Sequence, residues 1–346
     1  MDRINHITIQ VGNLCNFNCK YCFYDKTKTD KLIIFNRYKE LLNLLRNIPL
    51  DDRVIINLSG GEPTLYKENI YNIYKYINKL NRDLNTNFVF GIYTNGTNLG
   101  LINELINNKI LSTDLCNISW DGLNYDKVRI NKNSRINVND QLVKYKNTVV
   151  NNVLVRTAIT SASIDCLYDS VKFLIDNNYK KWEYYFLLDN KDYNSESFLN
   201  NYMHQLELIL NYTKHIKDFD FFNINNFKYL FNNPDKVVRI FCKQLGKSLY
   251  INCNGVVSPC GLCADDCIYF DNYSFSEDIS NINSIIEKYN KYLDLSKNID
   301  YSHCMNCKNI QCAECKFTAK FRTSDNKENQ QCKIRDAEYL ILKKYV

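Results

Sequence analysis

The sequence predicts an α/β fold: a partial (β/α)6 TIM-like barrel followed by a small cysteine-rich domain. The first two-thirds of the 346 residues alternates short β-like runs with amphipathic helical patterns, and ten of the fifteen cysteines fall in the last third. Six successive β-α units imply a parallel sheet, because parallel neighbours need crossover helices. We place the domain boundary between residues 225 and 226, which gives a core domain of residues 1–225 and a cysteine-rich domain of residues 226–346.

Apolar and β-branched residues cluster in six short runs that we predict to be the barrel strands. In chain order these runs are Ile4 to Val11, Arg53 to Leu58, Phe88 to Tyr93, Leu115 to Ser119, Val153 to Thr160 and Trp182 to Leu187.

Helical periodicity fills the intervals between these runs, as β-α repeats require. The predicted helices are Arg37 to Arg46, Lys67 to Leu80, Leu101 to Asn107, Asp140 to Val150 and Cys166 to Asn177, with a further helical region at Ser195 to Lys217 that leads into the cysteine-rich third.

Polar and glycine-rich turns follow the first four predicted strands. A cysteine loop follows the first, Ser59–Pro63 the second, Thr94–Gly96 the third and Trp120–Gly122 the fourth. The carboxyl ends of parallel strands share one rim of a barrel, where active-site residues collect. We therefore expect these turns to form the site.

The cysteine loop holds Cys15, Cys19 and Cys22, with three residues between the first two and two between the last two. Four thiolates would complete the ligands of a four-iron cluster, so three leave one iron free to bind something other than protein. The alternative is a structural zinc knuckle, which needs a fourth ligand. The nearest candidates, His6 and Asp25, would require the chain to fold back awkwardly.

Composition points to metal chemistry in a soluble, cytoplasmic protein. No signal peptide or apolar run of about 18 residues is present, so we expect no membrane association. Cysteines are kept reduced in the cytosol, which favours metal binding over disulfides. The net charge of +6 treats cysteines as neutral. Iron-sulfur clusters with thiolate ligands would offset most of it, so no nucleic-acid partner is expected.

The cysteine loop, the Gly-Gly turn one β-α unit later and the cysteine-rich tail together resemble radical SAM enzymes with a C-terminal SPASM-type auxiliary-cluster domain. The resemblance covers almost the whole chain. It implies that Cys15, Cys19 and Cys22 hold a [4Fe-4S] cluster. The amino and carboxylate groups of S-adenosylmethionine would chelate the fourth iron.

The same resemblance implies cofactor contacts in the first two rim turns. Tyr21 matches the aromatic residue that flanks the adenine side. Gly60, Gly61, Glu62 and Pro63 match the GGEP motif, which binds the methionine amino group through backbone carbonyl and carboxylate. A cationic amine needs such acceptors.

Three further polar residues resemble cofactor contacts of the family. Asn95 and Ser119 match positions that contact the ribose and methionine moieties, and Arg156 matches a carboxylate partner. Local roles are the alternatives: a turn for Asn95, a strand-end hydroxyl for Ser119 and a surface ion pair for Arg156. Asp121 and Gly122 fit the family's Ser-x-Asp-Gly segment, in which the aspartate is either structural or functional.

The tail resembles the seven-cysteine SPASM pattern, although its last two internal gaps are each one residue shorter than usual. By analogy, one auxiliary cluster takes Cys304, Cys307, Cys312 and Cys332, and another takes Cys242, Cys260 and Cys315. The second set lacks a fourth ligand, which Cys253, Cys263 or Cys267 could supply, unless that iron is open to substrate. A zinc ribbon is the alternative, because two Cys-x2-Cys pairs also suit zinc.

The resemblance implies an oxidoreductase that generates a 5′-deoxyadenosyl radical and abstracts hydrogen from a peptide substrate. Maturation of a ribosomally synthesised peptide by crosslinking is the leading expectation, with a flavodoxin or ferredoxin as electron donor. Sulfatase maturation is an alternative. However, the residue after Cys260 is Gly261 where that group has an acidic base, and Asp265 and Asp266 are the nearest candidates. A zinc-ribbon binding module is the alternative of a different class.

Overall fold

The structure is a computed structural model. The structure describes residues 1–22, 36–132, 136–187, 191–236, 246–261, 275–297 and 330–346. Several predicted residues lie outside these ranges: Asp25, Cys242, Cys263, Asp265, Asp266, Cys267, Cys304, Cys307, Cys312 and Cys315.

The described residues contain twelve β-strands, most of them short. They are β1 (Ile4–Gln10), β2 (Phe17–Cys19), β3 (Leu50–Ser59), β4 (Asn87–Thr94), β5 (Cys116–Ser119), β6 (Arg129–Asn131), β7 (Leu154–Ile159), β8 (Lys181–Phe186), β9 (Asp220–Phe221), β10 (Ser248–Ile251), β11 (Val256–Ser258) and β12 (Glu277–Asp278).

Helices alternate with these strands over most of the chain. Those in the described ranges are α1 (Tyr38–Asn47), α2 (Lys67–Asn78), α3 (Leu80–Leu84), α4 (Leu99–Asn107), α5 (Val138–Tyr145), α6 (Ser161–Ile164), α7 (Leu167–Asp176), α8 (Glu196–Thr213), α9 (Phe222–Asn232), α10 (Ile282–Lys297) and α11 (Gln330–Leu342). None of them is long and apolar enough to cross a membrane.

The predicted α/β class with a mostly parallel sheet is confirmed. All six predicted barrel strands are present, as β1, β3, β4, β5, β7 and β8. The predicted helix Asp140 to Val150 is shorter, because α5 ends at Tyr145 and the Thr148 hydroxyl caps a separate 3₁₀ turn by accepting from the Val150 N–H at 3.3 Å.

The chain divides into two compact units. The first comprises residues 1–117, 131–136 and 243–298, and the second comprises residues 118–130, 137–242 and 299–346. The predicted domain boundary between residues 225 and 226 stays a prediction.

In the first unit, β1 lies between two parallel neighbours. It pairs with β3, where Ile7 is opposite Ile56, and with β10, where Ile9 is opposite Ile251. Strand β3 continues the parallel pairing to β4, while β11 and β12 add to β10 as antiparallel strands. Parallel β1, β3 and β4 end at the same edge, so the loops that follow them meet there.

One face of this sheet packs against helices. Ile56, Phe90 and Ile92 are buried with at most 2% exposure, and the Phe90 ring meets Tyr74 of α2 edge-on at 5.2 Å between centroids. Burial of alternate apolar residues fixes the register of the strands. It therefore fixes which residues end at the carboxyl edge.

In the second unit, parallel strands β7, β8 and β9 carry an aromatic core. Trp182 and Tyr184 on β8 are almost completely buried, and both contact Phe221 of β9. Helix α11 joins this core through Glu338, whose carboxylate accepts a hydrogen bond from the Tyr184 hydroxyl at 2.6 Å.

Candidate functional site

The loop after β1 and the loop after β3 are joined by backbone hydrogen bonds. The Gly61 N–H donates to the Gly12 carbonyl at 3.1 Å and the Glu62 N–H donates to the Leu14 carbonyl at 2.8 Å. A Cβ atom on Gly61 would lie 2.2 Å from the Leu14 oxygen, so a side chain there would separate the loops. The cysteine loop and the Gly-Gly turn therefore form one assembly.

The cysteine loop presents three half-buried thiol side chains. Cys15, Cys19 and Cys22 carry no disulfide, and a turn between the last two is closed by the Cys22 N–H donating to the Cys19 carbonyl at 3.3 Å. The Phe17 N–H donates to Cys15 Sγ at 3.4 Å.

Burial raises the pKa of the Cys15 thiol to about 12, with a further contribution from the nearby Glu62 carboxylate. The thiol is therefore protonated at neutral pH in the metal-free protein. Metal ligands of this type must be deprotonated, so binding releases a proton.

The donor set fits a four-iron cluster with one open iron. Thiolates are the ligands that iron-sulfur clusters take, and this loop offers three of them. Within the described ranges, no group of three or more His, Cys, Asp or Glu side chains is arranged around a single metal ion. Thiolates on a four-iron cluster each bind a different iron, so they need not meet at one point.

Glu62 links the loop after β3 to the loop after β4. Its fully buried carboxylate accepts hydrogen bonds from the Thr64 N–H (3.0 Å) and hydroxyl (2.6 Å), the Thr94 hydroxyl (2.8 Å) and the Asn95 N–H (2.7 Å). Burial raises the pKa of this carboxyl, and the four donors oppose that shift by stabilising the charged form. The carboxylate therefore holds two rim loops in place.

Asn95 connects this assembly to the cysteine loop. Its side-chain amide donates to Asn16 Oδ1 at 2.7 Å and lies 4.0 Å from Cys15 Sγ. The structure thus brings together Cys15, the Gly60–Pro63 turn and Asn95 in the first unit. Tyr21, half-buried, lies on the same loop as the cysteines.

The predicted Thr94–Gly96 turn contains Thr94, but the hydrogen bond from its hydroxyl to Glu62 was not predicted. Three further polar residues that support these contacts were missed in the sequence: Asn16, Thr64 and Thr97. The only available signal was their position beside the motifs, in polar runs that directly follow predicted strands.

Ser119, Asp121 and Arg156 belong to the second unit. The buried Asp121 carboxylate pairs with Arg129 at 2.8 Å and accepts from the Ala158 N–H at 3.0 Å, which is a structural arrangement. The Arg156 guanidinium pairs with Glu183 at 2.8 Å. The cofactor roles of Ser119 and Arg156 stay predictions.

The described tail cysteines lie in three different settings. Cys253 is 3% exposed, and its N–H donates to Gln10 Oε1 at 3.3 Å. Cys260 is half-buried two residues after β11, and Cys332 is half-buried on α11. Their metal-binding roles stay predictions.

Comparison with known families gives a match to the Radical SAM superfamily over residues 9–155. This segment contains the cysteine loop, the Gly-Gly turn, Asn95 and Ser119. It therefore carries the sequence signature of that superfamily, as its motifs predicted.

Two curated relatives match part of the chain. An uncharacterized protein of Methanocaldococcus jannaschii is 35% identical over 179 residues, which is 51% of this chain and 60% of that protein. An S-adenosylmethionine-dependent nucleotide dehydratase of Selenomonas ruminantium is 26% identical over 165 residues, 42% of this chain and 57% of the enzyme. The chain thus spans less than two-thirds of the length of either relative.

Solved structures share the fold over nearly the full length. anSMEcpe with bound AdoMet superposes with a TM-score of 0.69 at 17% identity, covering 99% of this chain and 94% of that chain. SuiB of Streptococcus suis bound to S-adenosylmethionine gives a TM-score of 0.59 at 14% identity, covering 88% and 71%. At these identities the similarity establishes the fold.

Proposed function

We propose that this chain is a radical SAM enzyme that abstracts a hydrogen atom from a peptide substrate and matures a ribosomally synthesised peptide by crosslink formation. The observation that carries the proposal is the joining of a three-cysteine loop to the Gly60–Pro63 turn by backbone hydrogen bonds, inside the segment that matches the superfamily.

In this proposal Cys15, Cys19 and Cys22 hold three irons of a [4Fe-4S] cluster. When S-adenosylmethionine is bound at the fourth iron, one-electron reduction supplies a 5′-deoxyadenosyl radical for hydrogen abstraction. The backbone carbonyl groups of Gly60 and Gly61 would accept hydrogen bonds from the amino group of the bound cofactor. Glu62 keeps this turn in position through Thr64, Thr94 and Asn95.

A peptide substrate is favoured by the extent of the fold similarity. anSMEcpe bound to AdoMet and the Kp18Cys peptide matches with a TM-score of 0.67 and covers 98% of both chains. The similarity therefore includes the C-terminal region, where we propose SPASM-type auxiliary clusters held by the tail cysteines. Such clusters would accept the electron left after substrate oxidation.

The described part of the tail does not favour the sulfatase-maturation alternative. Gly261 follows Cys260, and a Cβ atom at Gly261 would lie 3.3 Å from the Tyr250 ring. A side chain at this position would therefore require the ring to shift by a few tenths of an ångström. Asp265 and Asp266 lie outside the described residues and stay candidate bases.

Nucleotide dehydration is a second candidate function. It is favoured by the 26% identity to the Selenomonas ruminantium enzyme, which covers 42% of this chain. A nucleotide that is consumed in step with 5′-deoxyadenosine formation would support this candidate over the peptide.

The first test is reductive cleavage of S-adenosylmethionine by anaerobically reconstituted protein with dithionite. We expect 5′-deoxyadenosine from the wild type and none above background from Cys19→Ala. A matched control is Cys166→Ala, which removes a buried thiol of the second unit that lies outside the motif and should preserve the activity. Absence of 5′-deoxyadenosine from the wild type would contradict the proposal.

A further inference from the structure

The side-chain amide of Asn95 is held in a single orientation. The residue is 7% exposed, and its carboxamide oxygen accepts hydrogen bonds from the Thr97 N–H at 3.1 Å and the Thr97 hydroxyl at 2.7 Å. A flipped amide would point its N–H groups at these donors, so the oxygen must face Thr97. The amide nitrogen therefore faces the cysteine loop.

The two N–H bonds of this nitrogen point to different atoms of that loop. One donates to Asn16 Oδ1 at 2.7 Å, and the other is directed at Cys15 Sγ, with 4.0 Å between nitrogen and sulfur. Asn16 in turn donates to the Thr97 hydroxyl at 2.9 Å, which closes a ring of three side chains. The ring fixes the distance between the amide and the sulfur.

The backbone of Asn95 is fixed as well. Its N–H donates to Glu62 Oε2 at 2.7 Å, and Glu62 is fully buried. The only other N–H that the described residues direct at Cys15 Sγ is that of Phe17, at 3.4 Å. Asn95 is therefore the side chain that supplies a positioned dipole to this sulfur.

We propose that Asn95 is a positioning residue that sets the reduction potential of the cluster through Cys15. The inference rests on the proposed function, because it assumes that Cys15 ligates iron. Hydrogen bonds to the sulfur ligands are a main determinant of cluster potential. Reduction adds negative charge to the cluster, so an N–H dipole aimed at the thiolate stabilises the reduced state and raises the potential.

The test compares reduction potentials of reconstituted variants. Asn95→Ala removes the amide, and Asn95→Asp keeps an acceptor for Thr97 while it removes both N–H groups. Asn98→Asp is the matched control: it places the same charge three residues later, at an exposed helix N-cap where aspartate is equally favoured. Potentials are read from the EPR signal that changes on addition of S-adenosylmethionine.

We expect both Asn95 variants to lower the equilibrium constant for one-electron reduction by about tenfold, which equals about 59 mV. Asn98→Asp should change it less than about twofold. Wild-type potentials in both Asn95 variants would overturn this inference while leaving the proposed function intact. A wild type without a cluster or without 5′-deoxyadenosine would overturn both.

Discussion

Glu62 shows how one buried charge can organise several loops. Its carboxylate is completely buried, yet its partners are neutral hydroxyl and backbone N–H groups of residues 64, 94 and 95. A buried carboxylate is tolerated when several donors surround it, and removal of the carboxylate leaves those donors unpaired. Glu62 therefore supports the site structurally, whichever cofactor binds there.

We expect Glu62→Ala to lower the free energy of unfolding by about 3 kcal/mol, because the buried donors of Thr64, Thr94 and Asn95 lose their acceptor. The control is Glu104→Ala. Glu104 is an exposed carboxylate that pairs with Lys67 at 2.8 Å, and its removal should cost only a small fraction of that loss. Urea unfolding of the anaerobically purified proteins measures both, and equal losses would refute this role of Glu62.

The glycines at the rim show which close contacts of the backbone could be predicted from the sequence and which could not. The Gly-Gly turn indicated a close approach, and the structure gives its physical basis in the Leu14 oxygen beside Gly61. Gly12 was not singled out, although a Cβ atom there would lie 2.1 Å from the Tyr66 ring. A single glycine before a cysteine loop has no local signature, because the clash arises from a side chain 54 positions away in the chain.

At the level of elements, the β-α repeat was largely predictable because each strand and helix has its own spacing of apolar residues. β3 and β4 extend past the predicted runs by one to three residues.

Strand β10 was not predicted. Its four residues are all buried and pair with β1, so nothing local distinguishes them from a buried turn. Parallel pairing across more than two hundred residues leaves no pattern in the sequence.

A bidentate ion pair attaches the strands that follow β10 to helix α1. Arg37, which precedes α1, contacts both carboxylate oxygens of Asp278 on β12, at 2.5 and 2.9 Å. The guanidinium holds the pKa of the Asp278 carboxyl well below its usual range. Such paired geometry is specific to arginine.

We expect Arg37→Lys to lower the free energy of unfolding by about 1 kcal/mol, because lysine cannot form the paired contact and the site is partly exposed. The rate of backbone amide hydrogen exchange in β11 and β12 at neutral pH should rise in this variant. The matched control is Arg46→Lys, which alters an exposed pair with Asp83 at 3.4 Å and should leave exchange unchanged. A double-mutant cycle with Asp278→Asn that shows no coupling would contradict the assignment.

On the scale of the whole molecule, the cysteines fall into both compact units. Cys15, Cys19, Cys22, Cys253 and Cys260 belong to the first unit, and Cys332 belongs to the second. The described tail cysteines are therefore divided between the two units. Composition predicts metal binding in the tail, but contacts between distant segments, which leave no local pattern, decide which unit each part joins.

Metal content decides between the iron-sulfur and zinc interpretations of the tail. Three [4Fe-4S] clusters predict about twelve irons per chain in anaerobically reconstituted protein, and Cys19→Ala should retain about eight, because the auxiliary clusters use other cysteines. Cys166→Ala, outside the proposed ligand sets, should keep the full content. Two zinc ions with about four irons in the wild type would show that the tail holds zinc ribbons, since closed four-thiolate sites suit both metals. In that case the three-cysteine loop would remain as the sole cluster site, and the electron released on substrate oxidation would need a different acceptor.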